Sequence, residues 1–518
     1  MLFNSYTFLL VFLPVTLLVF QWLRSSNLRH AMGWLVFASF VYYGWWNPNP
    51  EKPWTPLYVG IIAGSCLANF FFGQFLARHR GKASGKLMLG IGVAANLTLL
   101  CYFKYIGLFA KTFAALTGGD VTIAAVILPL GISFFTFQQV AYLVDAFRGE
   151  TEEYHLMDYL LFVTFFPQLI AGPIVHHKEI MPQLQRQLSS SRRSIDLSAG
   201  LTILIMGLFK KVVLADNFAP IATRLFALAS RGERDLTMAE AWVAAIAYAL
   251  QIYFDFSGYS DMAVGGARLF GIRLPVNFHS PYKSASIVDF WRRWHITLSR
   301  FLRDYLYIPL GGNRKGTGRR YANLFITMLL GGLWHGAGWT FVLWGALHGF
   351  YLSVNHGWHW LRKKFTLPAI PRPVGVALTF LVVLIAWVPF RAGSFELGPN
   401  GSTGAALDAT RSILGSMFGM SGTYGWPDRS AMEVKDSHAI RVVCCLLLVW
   451  ILPNTQQFMR RYQPVLGLRE VSRRFSSPGR RRWWQWRPMP LWMAFIILLL
   501  LGTLYQFDKL SEFIYFQF

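Results

Sequence analysis

LLGGLWHGAGWTFVLWGAL, residues 329–347, decides the class of fold. It is long and apolar enough to be a lipid-buried helix, yet His335 sits in its middle. An ionisable side chain at bilayer depth is costly, and it marks a functional site unless a neighbouring helix simply satisfies it. Glycines at 331, 332, 336 and 338 flank the imidazole, and small residues let another backbone approach closely.

The rest of the chain agrees with this reading. Its 518 residues are 54% hydrophobic, 16% aromatic and only 14% charged, with mean hydropathy +0.38. That composition belongs to a polytopic membrane protein. Apolar runs fall at about 4–23, 31–46, 55–77, 87–103, 121–144, 198–216, 239–257, 321–338, 340–356, 373–390, 440–453 and 490–506. The expected architecture is an all-α polytopic membrane protein, with about ten to twelve transmembrane or re-entrant helices around a central catalytic cavity or tunnel. One domain over 1–518 is expected, with a motif-rich core at about 121–356, an outer loop at 392–439 and a basic cytoplasmic loop at 455–489. The first run lacks a preceding basic region and a following small-residue cleavage site, so it reads as a retained helix.

The net charge of +24 follows the loops. Basic residues gather at 24–29, 78–86, 178–193, 268–320 and 362–372, and 460–487 holds nine Arg and one Glu. Residues 391–439 hold four basic and five acidic residues, and 47–54 one of each. The positive-inside rule places the first set in the cytoplasm, the second outside, and both termini outside. Nucleic-acid binding is excluded, since no basic soluble domain carries the charge.

Cys66, Cys101, Cys444 and Cys445 lie in apolar runs and form no metal-binding spacing. The pairs His176/His177 and His356/His359 could in principle bind metal, but neither has a set of carboxylates or thiolates of metal-binding spacing around it, so no metal is expected. GKASGK at 81–86 lacks the spacing and the Ser/Thr of a phosphate-binding loop.

One polar-aromatic region, from Tyr253 to Asn313, interrupts the membrane pattern. It opens on YFDFSGYSDMA, which carries Asp255, Ser257, Tyr259 and Asp261. DFWRRWHITLSRFLRDYLYIPLGGN follows. At helical period Trp291, Trp294, Leu298, Phe301, Leu302 and Tyr305 form an apolar stripe, while Arg292, Ser299, Arg303 and Asp304 lie opposite. His295 falls on the stripe and points inward. Residues 281–310 are expected to form an interfacial or re-entrant helix on the cytoplasmic side.

These segments resemble the membrane-bound O-acyltransferase family, in its bacterial alginate O-acetylation form. The matching pieces are ILPLGISFFTFQ (127–138), YLVDAFRGE (142–150), FFPQLIAGPI (165–174), YFDFSGYSDMA (253–263), PYKSASIVDFWRRWHITLSRFLRDYLYIPLGGNRKG (281–316), LLGGLWHGAGWTFVLWGALHG (329–349) and FIYFQF (513–518). The resemblance implies an acetyltransferase in the bacterial inner membrane, with acetyl-CoA as donor and no permanently bound cofactor. An exported polysaccharide such as alginate or cellulose would be modified, directly or through a periplasmic or membrane-anchored acetyltransferase partner. By the same resemblance His335 is the catalytic histidine and His295 the second one.

Moving an acyl group from thioester to hydroxyl needs a base within about 3 Å, and His suits neutral pH. Trp334, Asn313 and the glycine amides are candidate oxyanion donors, and Asp255, Ser257, Tyr259 and Asp261 are further substrate or oxyanion candidates. Arg292, Arg293, Arg303, Arg314 and Lys315 are candidates for the phosphates of acetyl-CoA. Broken helices and intramembrane His and Asp would also suit a transporter or channel in a polysaccharide secretion complex. The absence of an internal repeat disfavours that alternative, and a structural scaffold leaves two inward histidines unexplained.

Overall fold

Each of the twelve apolar runs contains a helix. The computed structural model describes residues 1–45, 57–119, 126–151, 155–186, 193–397, 401–424, 436–475, 483–507 and 513–514. The 47–54 loop, parts of the loops at 392–439 and 455–489, and residues 515–518 of the terminal motif lie outside these. No strand occurs among the described residues; one isolated bridge joins Pro275 and Leu466. Among the described residues, five helices are long and apolar enough to cross a membrane: Thr7–Ser26, Tyr58–Arg78, Ala83–Thr117, Ser194–Arg231 and Arg372–Leu397. Apolar side chains stand exposed along them, as at Leu18 and Leu116. Lipid is the solvent that suits such faces.

The chain forms two compact units, each assembled from three stretches. One comprises Met1–Leu208, Tyr259–Val276 and Phe458–Leu500; the other comprises Phe209–Gly258, Asn277–Gln457 and Leu501–Phe518. In the first unit, buried amides tie apolar helices together. Asn69 and Asn96 exchange bonds of 3.1 and 2.7 Å, and Asn69 Nδ2 also donates to Gln139 Oε1 at 3.0 Å. Inside a membrane such amides hold helices that apolar packing alone would let slide.

The second unit is organised by a helical hairpin, Gly316–His335 and Trp339–Lys364. Its helices meet backbone to backbone. A Cβ on Gly332 would lie 2.2 Å from the Phe341 carbonyl oxygen, and one on Gly345 would lie 2.4 Å from that of Met328. Glu396 fastens the turn end of the hairpin. Its carboxylate accepts from Trp339 N at 2.8 Å, Thr340 N at 3.2 Å, Thr340 Oγ1 at 3.0 Å and Thr403 Oγ1 at 2.7 Å. An anion is favoured there by the orphan N–H groups and the positive end of the helix dipole. Gly345→Val is expected to separate the helices and to cost about 3 kcal/mol or more, since neither backbone can yield. The thermal midpoint and yield of monodisperse protein in detergent measure this; a wild-type midpoint would rule the interlock out.

Residues 281–310 do not make the single helix expected of them. They form a 3-10 turn Pro281–Lys283, short helices Ile287–Trp291 and Ile296–Leu302, and a π-turn Arg303–Tyr307. The break falls at His295, whose φ of 42° is left-handed and cannot continue a right-handed helix. The extended segment beside it takes up the backbone bonds. Ile296 N donates to Asn277 O and His279 N to Arg293 O, both at 2.9 Å. The apolar stripe survives the break: Trp291, Trp294, Leu298, Phe301 and Leu302 are buried, and Tyr305 is half-buried.

Candidate active site

His335 closes the Gly316–His335 helix, where Gly336 turns the backbone extended. The imidazole is 4% exposed, and aromatic rings surround it. Its centroid lies 5.0 Å from Trp334, 5.0 Å from Trp344 and 5.3 Å from Phe390. The helix break is what brings the second histidine to it. His295 is fully buried, and its centroid lies 6.5 Å from that of His335. Trp334 touches both, at 6.3 Å from His295. One reacting centre could therefore sit within hydrogen-bonding reach of a nitrogen from each ring.

The hydrogen bonds of Asn277 set the tautomer of His295. The backbone N–H of Thr297 faces Asn277 Oδ1 at 3.3 Å, and because an amide N–H can only donate, the oxygen end of the Asn277 amide is the one turned inward. Thr297 Oγ1 donates to the same oxygen at 2.9 Å. His295 Nδ1, 3.1 Å from that acceptor, must therefore carry the proton. Nε2 is left with its lone pair and no partner among the described residues. A non-glycine residue in left-handed conformation, with a fixed tautomer and a buried lone pair, is a strained arrangement of the kind that collects at functional sites. Phe256 holds the ring edge-on at 4.7 Å, and Phe513 packs on Phe256 at 5.8 Å.

The other candidates divide. Asp255 is buried and occupied: Lys211 Nζ lies 2.8 Å from Oδ1, and Ile514 N donates to Oδ2 at 2.8 Å. The π-turn Lys210–Ala215 presents Lys211 to it, and to Asp216 at 2.8 Å. Both carboxylate oxygens of Asp255 are thus engaged within the protein. Ser257 is buried and accepts from Lys210 Nζ at 3.5 Å. Tyr259 and Asp261 fall in the other unit, where both are buried and Tyr259 stacks on Phe3 at 4.9 Å. Asn313 is exposed in the turn before residue 316, and the ring contacts of His335 do not include it.

Among the basic set, Arg293 is withdrawn as a phosphate ligand. It is 5% exposed and pairs with Asp289, four residues before it, at 2.9 Å. Arg292, Arg303, Arg314 and Lys315 remain exposed, Arg303 bonded to Asp304 at 2.7 Å. Against the expectation of no ligand set around His176 and His177, folding brings Asp145 to both of them. Asp145 Oδ2 lies 2.8 Å from His176 Nε2 and 3.4 Å from His177 Nδ1.

Sequence reasoning missed three residues of this neighbourhood. Asn277 carried no signal, being a coil residue 18 positions from His295. Trp344 and His348 had a visible one: they stand four apart on one helix, hence on one face, within the motif that holds His335.

A family model for membrane-bound O-acyltransferases matches residues 93–390, a span that includes both histidines and the whole hairpin. The chain belongs to the membrane-bound O-acyltransferase family. It is accordingly an O-acyltransferase and a multi-pass membrane protein, and the transporter alternative loses its ground. The peptidoglycan O-acetyltransferase of Helicobacter pylori is 42% identical to it, over 76% of this chain and 78% of that protein. A probable alginate O-acetylase of Pseudomonas putida is 41% identical, over 77% and 78% respectively. A teichoic acid D-alanyltransferase of Streptococcus thermophilus is 30% identical, over 50% of this chain and 68% of its own length. These relatives are named for different acceptors: peptidoglycan, alginate and teichoic acid.

Proposed function

We propose that this O-acyltransferase moves acetyl from cytosolic acetyl-CoA to a hydroxyl destined for an exported polysaccharide, alginate and cellulose among the candidates. The observation that carries the chemistry is the pair of buried histidines 6.5 Å apart, one of them with a fixed tautomer and an open Nε2. Two relatives named for O-acetylation, each about 40% identical, support acetyl as the group moved. His335 takes the hydroxyl proton as the oxygen attacks the thioester carbonyl. The C–S bond then breaks, and the CoA sulfur leaves with that proton. His295 offers Nε2 to orient the hydroxyl. The indole N–H of Trp334 and the amides around Gly336 are the donors placed for the developing oxyanion.

Basic loops at 178–193, 268–320, 362–372 and 460–487 support a cytoplasmic donor side in the bacterial inner membrane, with both termini periplasmic. The acceptor on the far side is the polysaccharide or a periplasmic or membrane-anchored acetyltransferase that relays the group. The test uses the full chain in detergent with acetyl-labelled acetyl-CoA. Release of free CoA thiol, together with label on the polymer or on the relay protein, is expected. Intact acetyl-CoA after incubation with both acceptors would sink the reading.

A further inference from the structure

Folding joins two stretches that the acyl-transfer chemistry leaves unused, YLVDAFRGE and the segment that follows FFPQLIAGPI. Asp145 stands in the last turn of the helix Ile132–Arg148, and His177 opens the helix His177–Arg186. Their side chains are 1% exposed, and that of His176 is 24% exposed. Asp145 Oδ2 lies 2.8 Å from His176 Nε2 and 3.4 Å from His177 Nδ1. One carboxylate and two imidazoles thus converge, their ligand atoms all within 4.8 Å of one another. All three residues belong to the unit that contains Met1–Leu208.

The bonding of His177 decides what its ring turns toward the carboxylate. Nε2 lies 3.1 Å from the backbone carbonyl of Glu150, which can only accept, so Nε2 carries the proton. In the neutral ring Nδ1 then turns a lone pair toward a carboxylate oxygen 3.4 Å away. Two electron-rich atoms at that distance inside a protein repel unless a cation lies between them. A ring N–H held by a backbone carbonyl is also the outer support that metal-bound imidazoles use. His176 presents Nε2 to the same oxygen. Its Nδ1 faces Lys178 N at 3.4 Å on the exposed side, a contact long enough to yield, so the ring proton can move there and free Nε2.

We propose that Asp145, His176 and His177 bind a divalent transition-metal ion, Zn²⁺ being the one whose chemistry suits them best. Two imidazole nitrogens and one carboxylate oxygen are Zn²⁺ ligands, whereas Ca²⁺ and Mg²⁺ take oxygen. Around a tetrahedral Zn²⁺ with bonds of about 2.0–2.1 Å, neighbouring ligand atoms stand about 3.3 Å apart. Asp145 and His177 already keep that separation. His176, in the coil before its helix, has to withdraw by about 0.5 Å to match it. The guanidinium of Arg148, 3.9 Å from Asp145 Oδ1, is 36% exposed and free to swing into water as the ion enters. Water on the open side of His176 completes the coordination. The ion fastens the end of the Ile132–Arg148 helix to the start of His177–Arg186, whichever thioester or polymer the enzyme uses.

The test uses the full chain in detergent, free of any affinity tag, stripped with a chelator and returned to Zn²⁺ or Co²⁺. The wild type is expected to take up one ion per chain, and the Co²⁺ form to show the visible d–d bands of a four-coordinate site. Asp145→Asn and His176→Gln should each weaken Zn²⁺ binding at least about 100-fold, since loss of an outer-shell partner alone costs about 10–100-fold. His176→Gln keeps a side-chain N–H for Asp145 and loses the imidazole, so without metal its thermal midpoint should match the wild type. Added Zn²⁺ should raise the wild-type midpoint in a concentration-dependent way and leave that of His176→Gln unmoved. His359→Ala, which removes an exposed histidine elsewhere, should bind Zn²⁺ as the wild type does.

Zn²⁺ held by His176→Gln as tightly as by the wild type overturns the site, because the ion would then sit on other side chains. A wild type that takes up no Zn²⁺ overturns it too, and leaves a proton on His177 as the cation that faces Asp145. Should Asp145→Asn fail to fold, His176→Gln decides alone, since its side chain is part-exposed and keeps the bond to Asp145.

Discussion

His335→Ala is expected to abolish acyl transfer, lowering the rate by about 10²–10⁴-fold, as loss of a positioned general base does. The protein should remain inserted and monodisperse. The surroundings of His335 make this separable from a folding defect. Its ring is walled by Trp334, Trp344 and Phe390, and the hairpin that carries it is held elsewhere, by the Gly332–Gly345 contact and the Glu396 cap. Removing the imidazole leaves a void of a few atoms, which costs stability without unlocking the helices. His335→Gln, which better fills the space, controls for that void and should be equally inactive, because an amide is no base at neutral pH. Release of CoA thiol, measured beside protein abundance, reads both effects. A His335→Gln protein that still acetylates its acceptor at the wild-type rate would remove His335 from the mechanism. A fall in abundance that accounts for the lost activity would make the residue structural.

What could be read ahead of the structure follows from which physics is local. Apolar runs at bilayer length must satisfy their own backbone, so the helices Leu57–Arg78, Arg193–Phe209 and Arg372–Ala392 were legible from hydropathy alone. The inward position of His295 was legible from its place on the stripe with Trp291 and Leu298. Its left-handed backbone was not. That conformation depends on Asn277, and a coil residue 18 positions away has no period to announce it. Arg293 is a different case: its partner Asp289 stands four residues before it, a spacing the sequence displayed, and only its burial waited on the packing around it. Asp145 beside His176 and Asp255 beside Lys211 are failures of another sort. Each pairing joins helical segments distant in sequence, and no spacing rule within one segment reports it. His348 was legible, four residues after Trp344 in a motif already singled out, but a histidine among aromatics draws notice only once its nitrogens prove to be unpartnered.

Asn277→Leu is expected to come close to His295→Ala in its effect, with a loss of about 10²-fold or more, although Asn277 reaches the reaction only through His295. Three donors converge on its Oδ1: His295 Nδ1, Thr297 N and Thr297 Oγ1. Leucine fills the space and accepts from none of them. Without that acceptor either ring nitrogen can hold the proton, so the Nε2 lone pair is no longer guaranteed, and the strained backbone at His295 loses its restraint. Asn277→Asp separates orientation from mere occupancy. A carboxylate still accepts from all three donors and still demands a proton on Nδ1, so much of the activity should return. Its charge should also raise the basicity of His295 and move the acidic limb of the pH–rate profile upward. A general folding role for Asn277 makes the opposite prediction: the buried charge would harm Asn277→Asp at least as much as Asn277→Leu, with no change in the shape of the profile. Steady-state rates of the two variants across pH, normalised to folded protein, decide between them. If Asn277→Leu keeps wild-type kcat, tautomer control at His295 is not part of the mechanism.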